Sequence, residues 1–229
     1  MNYCESIMVE RIIVGPYFTN AYIISTAKKE CFLIDPGGDP QTILQRLETL
    51  NMTPRTMAFT SGYLDHTSAA GEVKETYAER DVSITVGIHE ADAQFLGAGA
   101  EKALRKLYGS FGEAGIKAFE AMYAPLPEPD YLLTDGQEFF DYDFTVIHTP
   151  GFSPGSICFY SEERGVLFSG DSLLFKEIGR TDYPDSDRER LLKSVRDKLF
   201  SLPPETRVFP GRGPLTSLER EMANNPEFA

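Results

Sequence analysis

No run of apolar residues in this 229-residue chain reaches the roughly 20 that a membrane-spanning helix needs. The N-terminus, M-N-Y-C-E-S-I-M-V-E-R, lacks the basic start and apolar core of a signal peptide. Cysteine is scarce: Cys4, Cys31 and Cys158 are scattered, with no C-x-x-C pair. Cys31 and Cys158 sit in strand-like apolar runs, so the expectation is buried thiols and a reducing cytoplasm. Basic residues are outnumbered, 22 against 35 acidic, for a net charge of −13. That balance argues against a nucleic-acid groove. What is present is enough apolar matter for a sizeable core, 41% of residues. The length allows one large domain or two small ones; the reading adopted is a single domain over 1–229.

Strand patterns fall at Ile7–Val14, Ala21–Ser25 and Cys31–Ile34. Asp39 is expected to cap a helix that has Pro40 at its first position and Ile43, Leu44, Leu47 and Leu50 along one face. A strand through Met57–Phe59, a loop, a helix from Thr67 to Ala78 and a strand at Val82–Val86 follow. The second half repeats the scheme, with strands at Phe144–His148, Ile157–Tyr160 and Val166–Ser169. A helix at Asp187–Phe200 carries Leu191, Leu192, Val195 and Leu199 on one face. A short strand ends at Phe209, and a last helix starts near Thr216. Residues 97–123 stand apart as an insertion of one or two short helices. It is expected to be a lid over a site, a partner surface or a peripheral cover for a sheet edge.

Five motifs carry the functional signal. They are I-D-P-G-G-D at Ile34–Asp39, T-S-G-Y-L-D-H-T at Thr60–Thr67, H-T-P-G-F-S-P-G-S at His148–Ser156, L-F-S-G-D-S-L at Leu167–Leu173 and V-F-P-G-R-G-P at Val208–Pro214. In this order they resemble the metallo-β-lactamase superfamily, and I-G-R-T-D at Ile178–Asp182 is similar to the loop of its glyoxalase II branch. The resemblance implies an α/β (α+β) fold, the four-layer αββα sandwich of that superfamily. It also implies two metal sites. The first would take three histidines, at positions held here by Ser61, Tyr63 and Phe152. The second would take Asp65, His66 and a histidine at the position of Arg212, with Asp171 bridging both. His89 and His148 are not ligand positions in that pattern.

Four of these seven positions are changed, and the replacements decide the chemistry. Zinc takes Cys, His or carboxylate donors. Ser61 and Tyr63 offer neutral hydroxyls, and Phe152 offers nothing. Arg212 has no lone pair to give. A unit charge 4 Å away is worth about 4 kcal/mol at an effective dielectric of 20, so a divalent ion beside Arg212 is opposed by roughly twice that. The expectation is no cofactor, with one Zn, Fe or Mn ion at Asp65, His66 and Asp171 as the alternative. Arg212 either turns inward, to pair with Asp65 and Asp171 while a protonated His66 completes the charge balance, or swings out to solvent. Asp65 could equally cap a helix, Asp171 could serve a turn, and His66 could be a core histidine bonded to backbone. Tyr63 is either a new proton donor or, with Phe152 against it, filler for vacated space.

The leading functional reading is a non-catalytic or strongly altered glyoxalase-II-like protein that binds a small molecule or a protein partner. The alternatives are a one-metal thioester or ester hydrolase and metal-free acid–base chemistry by His66, Tyr63 and the aspartates. No nucleic acid and no membrane is expected as a partner, and homo-oligomerisation is left open. The missing signal peptide argues against a secreted β-lactamase. Glyoxalase II carries a further C-terminal helical domain that helps hold glutathione, and the chain stops soon after Arg212. Hydrolysis of lactoyl-glutathione is therefore not expected.

Overall fold

The computed structural model describes residues 8–25, 29–139 and 143–229; Cys4 and Ile7 lie outside them. Two six-stranded sheets face each other. The first runs in the order β1 (Val9–Val14), β2 (Thr19–Ser25), β3 (Glu30–Ile34), β4 (Thr53–Ala58), β5 (Thr85–His89), β6 (Tyr131–Leu133). The second runs β12 (Thr216–Ser217), β11 (Arg207–Pro210), β10 (Val166–Gly170), β9 (Ile157–Ser161), β8 (Phe144–His148), β7 (Glu138–Phe139). Strands β3 to β6 are mutually parallel, while β7 to β10 form an antiparallel meander.

The two-residue period of the strands explains the layers. Tyr22, Ile24, Phe32 and Ile34 join Phe144, Phe159 and Phe168 between the sheets. Their neighbours Ala21, Ile23, Cys31 and Leu33 point the other way, toward the helices. Both faces of each sheet are covered, which gives the expected αββα sandwich and explains the near-continuous apolar strands.

Helix α1 (Pro40–Leu50) buries Ile43, Leu44 and Leu47 and ends at Asn51 in the left-handed region. Asp39 holds the N-cap position, with Pro40 following, but its side chain makes no capping bond. Its backbone is left-handed, φ 47°, and its carboxylate instead accepts from Gly15 N at 2.8 Å. The helix expected from Thr67 is two: α2 (Leu64–Thr67) and α3 (Ala70–Ala78). Val82 closes the end of α3 through Tyr77 O, so the next strand starts at Thr85 and not at Val82. Residues 97–123 hold α4 (Ala100–Gly109) and α5 (Gly112–Met122). Helix α6 (Arg188–Ser194) begins on a true cap, Asp187 Oδ1 accepting from Arg190 N at 3.0 Å. It runs on as a π-helical turn, Val195–Leu199. The last helix, α7 (Leu218–Asn224), starts two residues later than Thr216, which is in β12.

Candidate functional site

The loops that leave β3, β4, β8, β10 and β11 converge at one edge of the sandwich. They carry Asp35, residues 60–66, Phe152, Asp171 and Arg212. Two glycines permit the approach. A Cβ on Gly37 would lie 1.7 Å from Asp65 O. Gly170 has φ +50° and a Cβ there would lie 2.3 Å from Thr60 Oγ1.

Arg212 turns inward. Its Nε donates to Asp171 Oδ2 at 2.8 Å. Its Nη2 lies 2.7 Å from the same oxygen and donates to Asp65 Oδ2 at 2.5 Å, and Nη1 donates to Tyr17 O at 3.2 Å. The pairing is not the two-oxygen fork that guanidinium–carboxylate geometry favours, because both donors to Asp171 share one oxygen. The carboxylates are buried and the guanidinium side chain is 24% exposed.

His66 is fully buried and not bonded to backbone. Its Nδ1 pairs with Asp35 Oδ2 at 2.9 Å, while Nε2 faces Asp171 Oδ2 at 3.8 Å and Asp65 Oδ2 at 3.9 Å. Burial alone would push the imidazole down. The carboxylates of Asp35, Asp65 and Asp171 outweigh it and raise His66 well above its ordinary value. Burial likewise pushes Asp171 up, but Arg212 and His66 pull it further down, to about 2. Asp35 is the residue that motif reading left without a role. It accepts from Thr60 N at 2.7 Å and Thr60 Oγ1 at 2.5 Å as well as from His66. Asp35 thus adds a third carboxyl to the cluster of Asp65, Asp171, His66 and Arg212.

The positions of the implied first-site ligands are packed. Ser61, Tyr63 and Phe152 are buried. The rings of Tyr63 and Phe152 meet edge to face at 5.2 Å, and Tyr183 lies on Tyr63 at 4.5 Å. Burial raises the Tyr63 phenol far above its ordinary value, so it is not poised as an acid at neutral pH. Its hydroxyl donates to Phe152 O at 3.4 Å, a long bond. Tyr63→Phe is thus expected to cost less than about 1 kcal/mol, as read from urea unfolding; a loss several times larger would mean that the hydroxyl, not the ring, holds this corner. Helix α4 and the turn into α5 cover the same corner, because Tyr108 and Phe111 pack on Tyr183 at 6.1 and 5.1 Å.

Asp65 does not cap α2; it lies inside that helix, and Tyr63 holds the cap position. One ligand atom from each of Asp65, His66 and Asp171 falls within 4.8 Å of the others. Both Oδ2 atoms of that set are taken by Arg212. A divalent ion would have to share them with a guanidinium, so the donor set does not fit a binuclear centre. Asp65 Oδ1, Asp171 Oδ1 and His66 Nε2 make no hydrogen bond.

This sandwich, with an aspartate–histidine cluster at the strand ends, matches a family model of the metallo-beta-lactamase superfamily over residues 14–212. The chain belongs to that superfamily. It is 34% identical to hydroxyacylglutathione hydrolase GloC of Haemophilus influenzae, over 95% of this chain and 96% of that one. Among solved structures it is similar to BLEG-1 B3 metallo-beta-lactamase, with TM-score 0.82, 34% identity and coverage of 97% and 100%. It is also similar to TTHA1623 in a di-iron-bound form, with TM-score 0.80, 34% identity and coverage of 95% and 99%. A protein named as a hydroxyacylglutathione hydrolase is thus matched over nearly its whole length. No helix among the described residues is long and apolar enough to cross a membrane.

Proposed function

We propose that this chain is a glyoxalase-II-like protein that has exchanged its binuclear centre for an internal cluster of Arg212, His66 and three aspartates. It acts by binding a small molecule or a protein partner and not by metal-dependent hydrolysis. The observation that carries this reading is the guanidinium of Arg212, 2.5 Å from Asp65 and 2.7 Å from Asp171. It supplies in covalent form the positive charge that those carboxylates need. The kinship with GloC makes a glutathione thioester the first ligand to try. The buried thiols of Cys31 and Cys158 suit a reducing cytoplasm.

Metal analysis of protein purified without chelator tests the reading. Less than about 0.1 equivalent of Zn, Fe or Mn is expected, against the one or two ions of a working site. Hydrolysis of S-lactoylglutathione should stay at the buffer rate with each metal added. A full equivalent that disappears in Asp171→Asn would overturn the proposal. It would favour the one-metal hydrolase at Asp65, His66 and Asp171, the reading supported by their unbonded atoms. Metal-free acid–base chemistry has less support, since Tyr63 and His66 are both closed off from solvent.

A further inference from the structure

Asp92 ties together the two loops that fill the first-site corner. It is buried, and its Oδ2 accepts from Gly62 N at 2.9 Å and from Ser153 Oγ at 2.6 Å. Its Oδ1 accepts from Gly155 N at 2.7 Å. Gly62 adjoins Tyr63, and Ser153 adjoins Phe152. Asp92 itself rides on a 3-10 helix, Glu90–Phe95, whose cap is His89. The cap bond runs from Ala91 N to His89 Nδ1 at 3.2 Å. That bond requires Nδ1 to be a bare acceptor, so the neutral ring carries its proton on Nε2.

A second imidazole lies against this cap. His148 stacks on His89 with centroids 3.9 Å apart and planes at 17°. His89 ends β5 in one sheet and His148 ends β8 in the other, so the stack joins the sheets at the edge where the site lies. His148 is fixed by Nε2 donating to Pro154 O at 2.9 Å and by its N donating to Asp135 Oδ1 at 2.7 Å. Lys198, on the π-helical turn, donates to Asp135 Oδ2 and to His148 O, both at 2.8 Å. The titratable groups facing His89 are therefore His148 and Lys198, which oppose its protonation, and Asp135, which favours it. Glu90 and Asp92 are the acidic groups on its own helix.

We propose that His89 is an acid-labile cap: protonation of its Nδ1 breaks the bond to Ala91, sets a cation against His148, and releases the Asp92 hub that holds the Tyr63 and Phe152 loops. A proton on Nδ1 turns the acceptor into a donor that faces another donor, so capping and protonation exclude each other. Burial first, and then His148, lower His89 to about 4 in the capped state. Released to solvent, the ring would titrate near 6.5. Between those two values the open form gains on the closed one as pH falls. The inference goes beyond the reading of Arg212 and stands whether or not that site is catalytic.

Residue-resolved amide exchange of Gly62 and Gly155, corrected for intrinsic chemistry, reads the opening without any activity. In the wild-type chain the opening constant should rise about tenfold per pH unit between roughly 6 and 4.5. His89→Asn keeps a capping acceptor but cannot titrate in this range, so its opening should not change with pH. His89→Phe keeps a ring on His148 but has no acceptor, and should be open to a raised and constant degree. The imidazole nitrogens give a second test, since the chain has three histidines. If His89→Asn shows the same rise as wild type, or if His89 titrates near its ordinary value in the folded chain, the proposal fails.

Discussion

Zinc or manganese titrated into Arg212→His should bind on the order of a thousandfold or more tighter than to the wild-type chain. The substitution does two things at once. It removes the guanidinium that occupies Asp65 Oδ2 and Asp171 Oδ2, and it places an imidazole where the superfamily's second site has one. At an effective dielectric of 20, a divalent ion about 4 Å from a unit charge is opposed by about 8 kcal/mol, close to six decades. Solvent screening at the partly exposed Arg212 head takes back part of that figure, hence the smaller expectation. His66 is held for the task by Asp35 at 2.9 Å, the kind of outer partner that orients a ligating imidazole. Asp171→Asn added to Arg212→His should abolish the gain. Equal affinity in the wild-type and Arg212→His chains would show that Arg212 does not guard the site, and the one-metal hydrolase would regain its standing.

Much of this fold is legible before any coordinates, because its motifs sit at strand ends. D-P-G-G, S-G-D and P-G-R-G each mark a strand that stops in a turn, and their order sets the topology. The local errors have separate causes. Asp39 looks like a cap because aspartate before proline usually is one, yet its carboxylate goes to Gly15, 24 residues away. Val82 looks like a strand residue because it is β-branched, yet it closes α3. At Asp39 a tertiary partner overrides local propensity, whereas at Val82 a helix-terminating bond to Tyr77 O, five residues back, does so. The same limit applies at the site. Asp65, His66, Asp171 and Arg212 are recognisable by motif position, so their convergence is an expectation that distances can address. Asp35 stands in the I-D-P-G-G-D motif and Asp92 in none, but motif position shows the role of neither, because those roles lie in hydrogen bonds to residues 25 to 63 positions distant. Nor does periodicity indicate that His89 and His148, 59 residues apart, share a stack.

Arg212→Ala should lower stability by about 3–5 kcal/mol, the usual cost of leaving one member of a buried ion pair uncompensated. Asp171 is 1% exposed as a side chain and Asp65 5%, so neither can turn to water for the missing charge. The pH dependence separates this loss from one due to packing. In the wild-type chain Asp171 is held at about 2, below the ordinary carboxylate value near 3.9. Its contribution is therefore complete above about pH 4 and is lost as pH falls toward 2. Arg212→Ala removes the largest lowering influence and leaves burial, which raises the group, opposed by His66 alone. The acid-dependent loss should then be smaller in the variant than in wild type, and the gap between the two curves should narrow below about pH 4. Arg212→Leu combined with Asp65→Asn and Asp171→Asn removes the charges together and should recover most of the loss, because a buried cluster replaced whole is near neutral in cost. A gap between wild type and Arg212→Ala that stays constant from pH 7 to pH 3, with no recovery in the triple variant, would mean that Arg212 stabilises this edge by its aliphatic stem and not by its charge.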